Sequence, residues 1–197
     1  MPPSIQNSAA AAPRICSAAA KRVNSRSGGV SPRLTFHLAH WLALAGVVVA
    51  LDQATKAWVL ALFQPGESLV VTPFFNFVLL FNTGASFSFL ADAGGWQRWF
   101  FVVLAVVISV WLLMLLRRHA GEPLMASSLA LILGGAVGNV IDRVRIGAVT
   151  DFLHFHWNEY YFPAFNVADS CITIGVALMI WYELFGKGAS HGGPGQD

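Results

Sequence analysis

The stretch that decides the fold is GGAVGNVIDRVRIGAVTDFLHFHWNEYYFPAFNVADS, residues Gly134–Ser170. It leaves one long apolar run, enters the next, and concentrates polar side chains between the two. Ionisable residues at the edge of a membrane segment are costly, so a cluster of them indicates a functional site. The polar residues of this stretch that matter are Asn139, Asp142, Arg143, Asp151, Asn166 and Asp169.

The composition of the whole chain is that of a membrane protein. Of its 197 residues, 56% are hydrophobic and 11% are charged, whereas soluble domains carry about 25% charged residues. The mean hydropathy is +0.61. The net charge of +2 is too small to indicate nucleic-acid binding, and Cys16 and Cys171 form no disulfide or metal-binding pattern. We expect an integral membrane protein without a metal or an organic cofactor.

Four apolar runs are each long enough to cross a bilayer, which takes about 20 helical residues. They cover about 37–63, 96–116, 124–141 and 166–185. The predicted fold class is therefore an all-α membrane protein with four transmembrane helices. Ser68–Thr72 and Phe75–Phe81 are rich in β-branched and aromatic residues and predict short strands. We expect a small extracytoplasmic β-rich sheet on the bilayer surface, the alternative being a compact loop with a minor core of its own.

The basic residues predict the orientation of the chain in the membrane. Four spans place both termini on one side, and cytoplasmic segments are enriched in Lys and Arg. We expect cytoplasmic termini, extracytoplasmic loops at about 64–95 and 143–165, a membrane domain at 36–186, and disordered tails at 1–35 and 187–197. The basic residues on the terminal side, eight of the twelve, are Arg14, Lys21, Arg22, Arg26, Arg33, Arg117, Arg118 and Lys187.

Two features inside the spans indicate close packing and charge pairing. Asp52 and Lys56 are four residues apart, so they share a helix face and can form a self-neutralised ion pair. Gly134 and Gly138 form a GxxxG motif, which permits close helix packing. With the orientation above, the polar residues of three spans all lie toward the outer face of the membrane.

Carboxylates are the side chains of this cluster best suited to chemistry. The sequence contains no HExxH metalloprotease motif and no GxSxG nucleophile elbow. Two adjacent carboxyl groups share a proton at neutral pH, so one can activate water while the other protonates a carbonyl oxygen. Spacing alone leaves Asp142, Asp151 and Asp169 all open as members of such a pair. A less favoured alternative is a metal site at Asp151, His154 and His156.

The same acids also have ordinary structural explanations. Asn166 and Asp169 fit the N-cap and first turn of a helix, Asp142 followed by Arg143 fits a helix C-terminus, and Asp151 fits an exposed loop. Two other functional classes also stay open. One is a small proton- or cation-coupled transporter, which clustering of the acids toward one face disfavours. The other is a non-catalytic membrane adaptor for a lipidated partner.

Four blocks occur in order along the four spans. They are LDQATKAWV (Leu51–Val59), FNTGASFSF (Phe81–Phe89), GGAVGNVIDRVRIGAVTDFLHF (Gly134–Phe155) and FPAFNVADSCITIG (Phe162–Gly175). In this order they resemble the lipoprotein signal peptidases, the signal peptidase II family of bacterial membrane aspartic proteases. The resemblance covers about Trp41–Phe185 and says nothing about the basic tail.

The resemblance implies an activity and chooses between the acids. The family cleaves prolipoproteins before a cysteine that carries a diacylglyceryl group, and the signal peptide is the helical leaving part. Block by block, the implied catalytic aspartates are Asp151 and Asp169. The implied supporting or substrate-binding residues are Asp52, Lys56, Asn82, Gly84, Asn139, Asp142, Arg143 and Asn166.

The resemblance also implies a setting for the reaction. It implies a multi-pass protein of the bacterial cytoplasmic (inner) membrane, in contact with lipid and a lipidated prolipoprotein and inhibited by cyclic peptides such as globomycin. The aromatic loop Phe74–Phe89 resembles the family's membrane-lying cradle, and Arg143 is expected to position the catalytic loop. Asp169 begins a helix, where the helix dipole favours an anion, and no comparable donor is evident near Asp151. We expect Asp169 to be the ionised partner and Asp151 the proton carrier.

Overall fold

The helices and the sheet form one bundle with a cap at one end. The computed structural model describes residues 32–84 and 95–186. Within these ranges, four helices are long and apolar enough to cross a membrane, which confirms the four predicted spans. They are α1 (Pro32–Leu62), α2 (Trp96–His119), α3 (Pro123–Arg145) and α4 (Val167–Trp181), and α4 continues as a π-helical turn at Tyr182–Gly186.

The helix ends differ slightly from the ends of the apolar runs. Helix α1 begins at Pro32, ahead of the apolar run, and proline suits the first turn of a helix because its missing N–H has no partner there anyway. Four residues assigned to the basic tail, 32–35, are therefore helical. The rest of that tail, residues 85–94 and the C-terminal tail at 187–197 lie outside the described residues, so the disorder expected of both tails stays a prediction.

The sheet is antiparallel, and its strand order follows the chain. It contains β1 (Ser68–Thr72), β2 (Phe75–Asn82), β3 (Val149–Trp157) and β4 (Tyr160–Tyr161). The first two strands confirm the prediction almost residue for residue. The sequence missed β3 and β4, because β3 is defined by pairing with a strand about 70 positions earlier, as in the pair Leu80↔Asp151. The sheet lies where α1 and α3 end and α4 begins.

Helix α3 is the centre of the bundle and contacts the other three helices. Of its most apolar 18-residue window, 67% is buried, against 11–17% for the corresponding windows of α1, α2 and α4. The outer helices accordingly expose broad apolar faces, as expected where lipid replaces protein as the packing partner. The polar residues near the end of α3 are therefore held inside the bundle.

The GxxxG motif of α3 packs closely against another helix, as the sequence predicted, and the structure identifies that helix as α1. A Cβ atom added at Gly134 would lie 2.7 Å from the carbonyl oxygen of Ala45 and 2.7 Å from the Cβ of Val48. One added at Gly138 would lie 2.6 Å from an oxygen of the Asp52 carboxylate. Glycine is required at both positions because no side chain fits, and this close approach brings the polar residues of the two helices into contact.

Replacing Gly134 by Ala is expected to destabilise the protein by about 1–3 kcal/mol, the usual cost of overpacking a filled interior. The matched control is Gly46→Ala in α1, where an added Cβ meets nothing within 4 Å. Unfolding of both variants in detergent micelles, followed by circular dichroism, measures the difference. Equal stability of the two variants would show that the close contact at Gly134 does not limit packing.

Candidate active site

A cavity of about 590 Å³ opens at the end of the bundle beside the sheet. Asp151, from β3, and Asp169, from the first turn of α4, both line it. These are the two acids that the resemblance selected, and tertiary folding brings them to one cavity although a loop separates them in sequence. Four of the supporting residues line the same cavity: Asn82, Gly84, Asn139 and Arg143.

Asp151 is buried and is held by two side-chain amides. Its Oδ1 accepts a hydrogen bond from Nδ2 of Asn166 at 2.7 Å, and its Oδ2 accepts one from Nδ2 of Asn82 at 3.3 Å. The expectation that Asp151 lacks nearby donors was therefore wrong, because both asparagines come from other parts of the chain. Burial, together with the charge of Asp169, raises the pKa of Asp151 from 3.8 to about 7, against the lowering effect of the two amides.

Asp169 occupies a capped helix start. The Asn166 side chain is the N-cap of α4, and its Oδ1 accepts from the backbone N–H of Asp169 at 2.9 Å, as the sequence predicted. The Oδ1 of Asp169 accepts from Nδ2 of Asn139 at 2.8 Å. Since Asn166 also donates to Asp151, one fully buried side chain sets the position of both acids.

A buried ammonium group lies behind the two acids. Lys56 is 2% exposed, and its Nζ lies 2.8 Å from Oδ2 of Asp52, 2.9 Å from Oδ2 of Asp142 and 3.0 Å from Oδ1 of Asn139. All three N–H donors of the ammonium are therefore used. The predicted pair of Asp52 and Lys56 is confirmed, but it is not self-contained, because Asp142 adds a second carboxylate.

The amide of Asn139 has its orientation set by this lysine. Its oxygen accepts from Lys56, so its nitrogen is the end that faces Asp169. A reversed amide would place its N–H groups against the ammonium and its oxygen against the carboxylate of Asp169. Lys56 therefore acts on Asp169 through Asn139.

The two carboxylates bound to Lys56 also hold the backbone next to the acids of the cavity. Oδ1 of Asp52 accepts from the N–H of Ala168 at 2.9 Å, and Oδ2 of Asp142 accepts from the N–H of Thr150 at 3.1 Å. Each of these N–H groups belongs to the residue immediately before Asp169 or Asp151. Asp142, which spacing left open as a catalytic acid, is in contact with structural partners instead.

Gln53 is a member of this cluster that the sequence analysis missed. Its Nε2 lies 2.9 Å from Oδ1 of Asp142, 3.2 Å from the carbonyl oxygen of Gly138 and 3.2 Å from Oδ2 of Asp52. The only sequence feature that points to Gln53 is its position next to Asp52 in the block LDQATKAWV. That feature becomes meaningful only when α1 is known to face α3 at this point.

Arg143 and Asn82 hold the same glycine at the mouth of the cavity. Nη2 of Arg143 donates to the carbonyl oxygen of Gly84 at 3.0 Å, and its guanidinium lies 5.2 Å from the ring centre of Phe101. Oδ1 of Asn82 accepts from the N–H of Gly84 at 3.1 Å. Arg143 was expected to position the catalytic loop, and that role stays a prediction. The hydrogen bond that it makes is to Gly84, directly before residues 85–94.

The alternative metal site at His154 and His156 does not include Asp151. Side chains alternate across a strand, so His154, three residues after Asp151 in β3, projects to the other face of the sheet. The two imidazoles instead stack on Tyr161, with ring centres 5.6 and 5.4 Å away. Over 32–84 and 95–186, no three His, Cys, Asp or Glu side chains converge as a metal-binding group.

Comparisons with known proteins agree with the resemblance over most of the chain. A family model described as "Signal peptidase (SPase) II" matches residues 44–185. The lipoprotein signal peptidase of Azoarcus sp. (strain BH72) is 57% identical over 155 residues, covering 78% of this chain and 88% of that protein. The lipoprotein signal peptidase of Cupriavidus pinatubonensis is 53% identical over 165 residues, covering 84% of this chain and 90% of that protein.

Solved structures show the same architecture. A structure described as a bacterial membrane enzyme, determined by the in meso method at 2.3 Å resolution, superposes with a TM-score of 0.69 at 34% sequence identity. The match covers 81% of this chain and 94% of that chain. A second structure of a bacterial membrane enzyme, at 1.9 Å resolution, gives a TM-score of 0.66.

Proposed function

The chain belongs to the signal peptidase II family of aspartic peptidases, and we propose that it removes signal peptides from diacylglyceryl-modified prolipoproteins by cleaving before the lipidated cysteine. The observation that carries this proposal is the shared cavity of Asp151 and Asp169, which we call the aspartate dyad. Three asparagine amides, from Asn82, Asn139 and Asn166, hold its carboxyl groups.

In the proposed mechanism the dyad shares one proton and uses a water molecule as the nucleophile. Asp169, at the N-terminus of α4, is ionised because the helix dipole favours an anion there. It removes a proton from water while the oxygen attacks the carbonyl carbon, and Asp151 gives its proton to the carbonyl oxygen. The raised pKa of Asp151, about 7, supports its role as the proton carrier.

The second half of the reaction returns both protons. Asp169 passes its proton to the nitrogen of the departing amine as the carbon–nitrogen bond breaks. One hydroxyl of the diol intermediate returns its proton to Asp151 as the new carboxyl group forms. The dyad ends in its starting state, and no covalent intermediate or metal is needed.

The proposed orientation places the dyad at the outer face of the bacterial cytoplasmic membrane. The distribution of basic residues over the whole sequence supports it. Eight of the twelve belong to the side of the chain termini, among them Arg117 and Arg118 at the end of α2, and basic residues favour the cytoplasmic side. The remaining tails, 1–31 and 187–197, would then be cytoplasmic. A substrate anchored by acyl chains and an apolar helix needs a site at the membrane surface, which this orientation provides.

The proposed function is tested with the purified protein and a synthetic lipidated prolipoprotein. Cleavage directly before the lipidated cysteine, inhibited by globomycin, is the expected result. The control substrate carries the same peptide with the cysteine unlipidated. Absence of cleavage, together with proton or cation flux in proteoliposomes, would favour the transporter instead.

Activity is expected to fall as the pH rises above about 7. Burial and the charge of Asp169 keep the proton on Asp151 up to that pH, and its loss leaves two carboxylates without the general acid. Above the midpoint, kcat/KM should fall about tenfold per pH unit, since a single proton is lost.

The sign of this effect is tested by Asn82→Ala. The hydrogen bond from Asn82 lowers the pKa of Asp151, so its removal should move the alkaline limb of the pH profile to higher pH. A limb that stays in place or moves to lower pH would assign the titration to another group. Circular dichroism of the variant checks that the fold is retained.

A further inference from the structure

A second cavity, of about 530 Å³, lies on the sheet beside the dyad cavity. We call it the aromatic groove, and it is lined by Phe74, Phe155–Trp157 and Tyr160–Phe162. Its lining contains no carboxylate and no lysine or arginine. Trp157 is 73% exposed and Tyr160 is 83% exposed, so large aromatic surfaces face outward without a packing partner in the described chain. Exposed patches of this kind mark binding surfaces.

The aromatic groove adjoins the dyad cavity at Phe162, which lines both. From there, the extended segment Phe162–Phe165 runs along β3 and forms part of the dyad cavity wall. The N–H of Phe162 donates to the carbonyl oxygen of Phe155 at 2.9 Å, and that of Phe165 donates to Leu153 at 3.0 Å. The same strip of chain therefore borders both cavities.

The distance from the dyad to the aromatic groove suits a short extended peptide. Asp151 and Phe155 are four residues apart on β3, which is about 13 Å at the rise of a strand. An extended peptide that leaves the dyad along this strand therefore reaches the groove about four residues from the cleaved bond.

Hydrogen-bonding groups along this path are suited to a peptide backbone. The backbone N–H and C=O of Ala164, which lines the dyad cavity, make no hydrogen bond within the described ranges. Ala164 is half-buried, and an extended peptide supplies both a donor and an acceptor for its backbone.

We propose that the aromatic groove binds the first residues of the mature lipoprotein, on the carboxyl side of the cleaved bond. The inference rests on the proposed function. The two sides of that bond differ: the signal peptide is an apolar helix that the bilayer surrounds, whereas the mature chain leaves the membrane. A groove on the sheet, outside the helix bundle and next to the dyad cavity, is placed to receive the mature side.

Two synthetic substrates that differ only in length test this inference. Both carry the same signal peptide and the same lipidated cysteine. The short one continues for two residues after the cysteine and the long one for eight. With the unsubstituted protein, kcat/KM should be about tenfold higher for the long substrate than for the short one, because only the long substrate reaches the groove. Equal values would overturn the proposal.

Variants of the groove identify the site of this preference. Trp157→Ala and Tyr160→Ser should each raise KM for the long substrate several-fold, up to about tenfold, with kcat nearly unchanged and the short substrate unaffected. The control is Trp181→Ala, whose side chain is also exposed, at 59%, but lies at the far end of α4. Because Tyr160 is so exposed, its replacement keeps the test independent of folding defects.

The possible outcomes separate this inference from the proposed function. An equal loss with both substrates would show that the aromatic side chains anchor the sheet to lipid, and would overturn the inference. No change with either substrate would overturn it as well. Failure of the unmodified protein to cleave either substrate would instead contradict the proposed function.

Discussion

Replacing Asp169 by Asn is expected to abolish prolipoprotein cleavage, lowering kcat by about 10³–10⁴-fold, while the protein stays folded in the membrane. The carboxamide keeps an oxygen that accepts from Nδ2 of Asn139, a contact of 2.8 Å in the present structure. It cannot take the proton from the attacking water. The loss of kcat therefore comes from the missing proton acceptor, since the geometry of the site changes little.

Asp151→Asn should have an effect of similar size for the complementary reason. A carboxamide has no proton of suitable acidity to give to the carbonyl oxygen of the substrate. It can keep the 2.7 Å hydrogen bond from Asn166, although its nitrogen then faces the Asn82 amide and that longer contact is lost. A small decrease in stability is expected beside the loss of activity.

Single-turnover cleavage of a lipidated prolipoprotein by the purified variants measures both effects. The control is Glu67→Gln, an equally conservative change at an exposed carboxylate in the turn before β1, which should leave kcat unchanged. Thermal unfolding in detergent shows whether each variant keeps its fold. Cleavage at the normal rate by either dyad variant would remove that residue from the mechanism.

Replacing Lys56 by Met is expected to destabilise the protein by about 3–5 kcal/mol, the usual cost of breaking a buried ion pair from one side. The ammonium contacts two buried carboxylates, those of Asp52 and Asp142. Without it, both carboxylates remain in the interior with no cation in contact. Methionine has a similar length, so loss of charge and hydrogen bonds outweighs loss of volume.

The double variant Asp52→Asn/Lys56→Met tests this electrostatic explanation. Its local charge equals that of the original cluster, because one carboxylate and one ammonium are removed together. Asparagine also keeps an oxygen for the N–H of Ala168, which donates to Asp52 at 2.9 Å. Part of the lost stability should therefore return, as measured by unfolding in detergent. A double variant as unstable as Lys56→Met alone would assign the cost to packing.

The Lys56 variant should also lose activity beyond its loss of stability. Asn139 receives its orientation from Lys56 and presents its N–H to Asp169. Without the ammonium, the oxygen of Asn139 keeps only the 3.4 Å hydrogen bond from Nδ2 of Asn166, so the amide is held less firmly against the Asp169 carboxylate. Asp169 therefore depends on the charge of Lys56, which acts on it through Asn139.

Several features of the fold were predictable because they depend on local composition. Four apolar runs of membrane-spanning length predict four helices, since the bilayer leaves few alternatives for the backbone. Ser68–Thr72 and Phe75–Phe81 predicted β1 and most of β2 from side-chain type alone. Asn166 and Asp169 predicted a helix cap, which depends only on residues three positions apart. The GxxxG motif predicted a close approach, although not which helix approaches.

The features that the sequence missed all depend on distant partners. The strand β3 contains aspartate and two histidines among its aromatic residues and is recognisable only beside β2. Gln53 becomes part of the site because α1 packs on α3, and the donors to Asp151 come from residues 69 and 15 positions away. No local pattern encodes which asparagine meets which carboxylate.

By itself the sequence determined that this is a membrane protein with four helices apolar enough to cross a bilayer, and that it carries the motif blocks of one peptidase family. Those properties follow from hydropathy and from the order of residues along the chain. Only the tertiary structure decided how the acids are used. Asp151 and Asp169 share a cavity, while Asp52 and Asp142 bind Lys56 and the neighbouring backbone. The physical reason is that α3 meets α1 at Gly134 and Gly138, where a missing side chain lets charges on different helices come into contact.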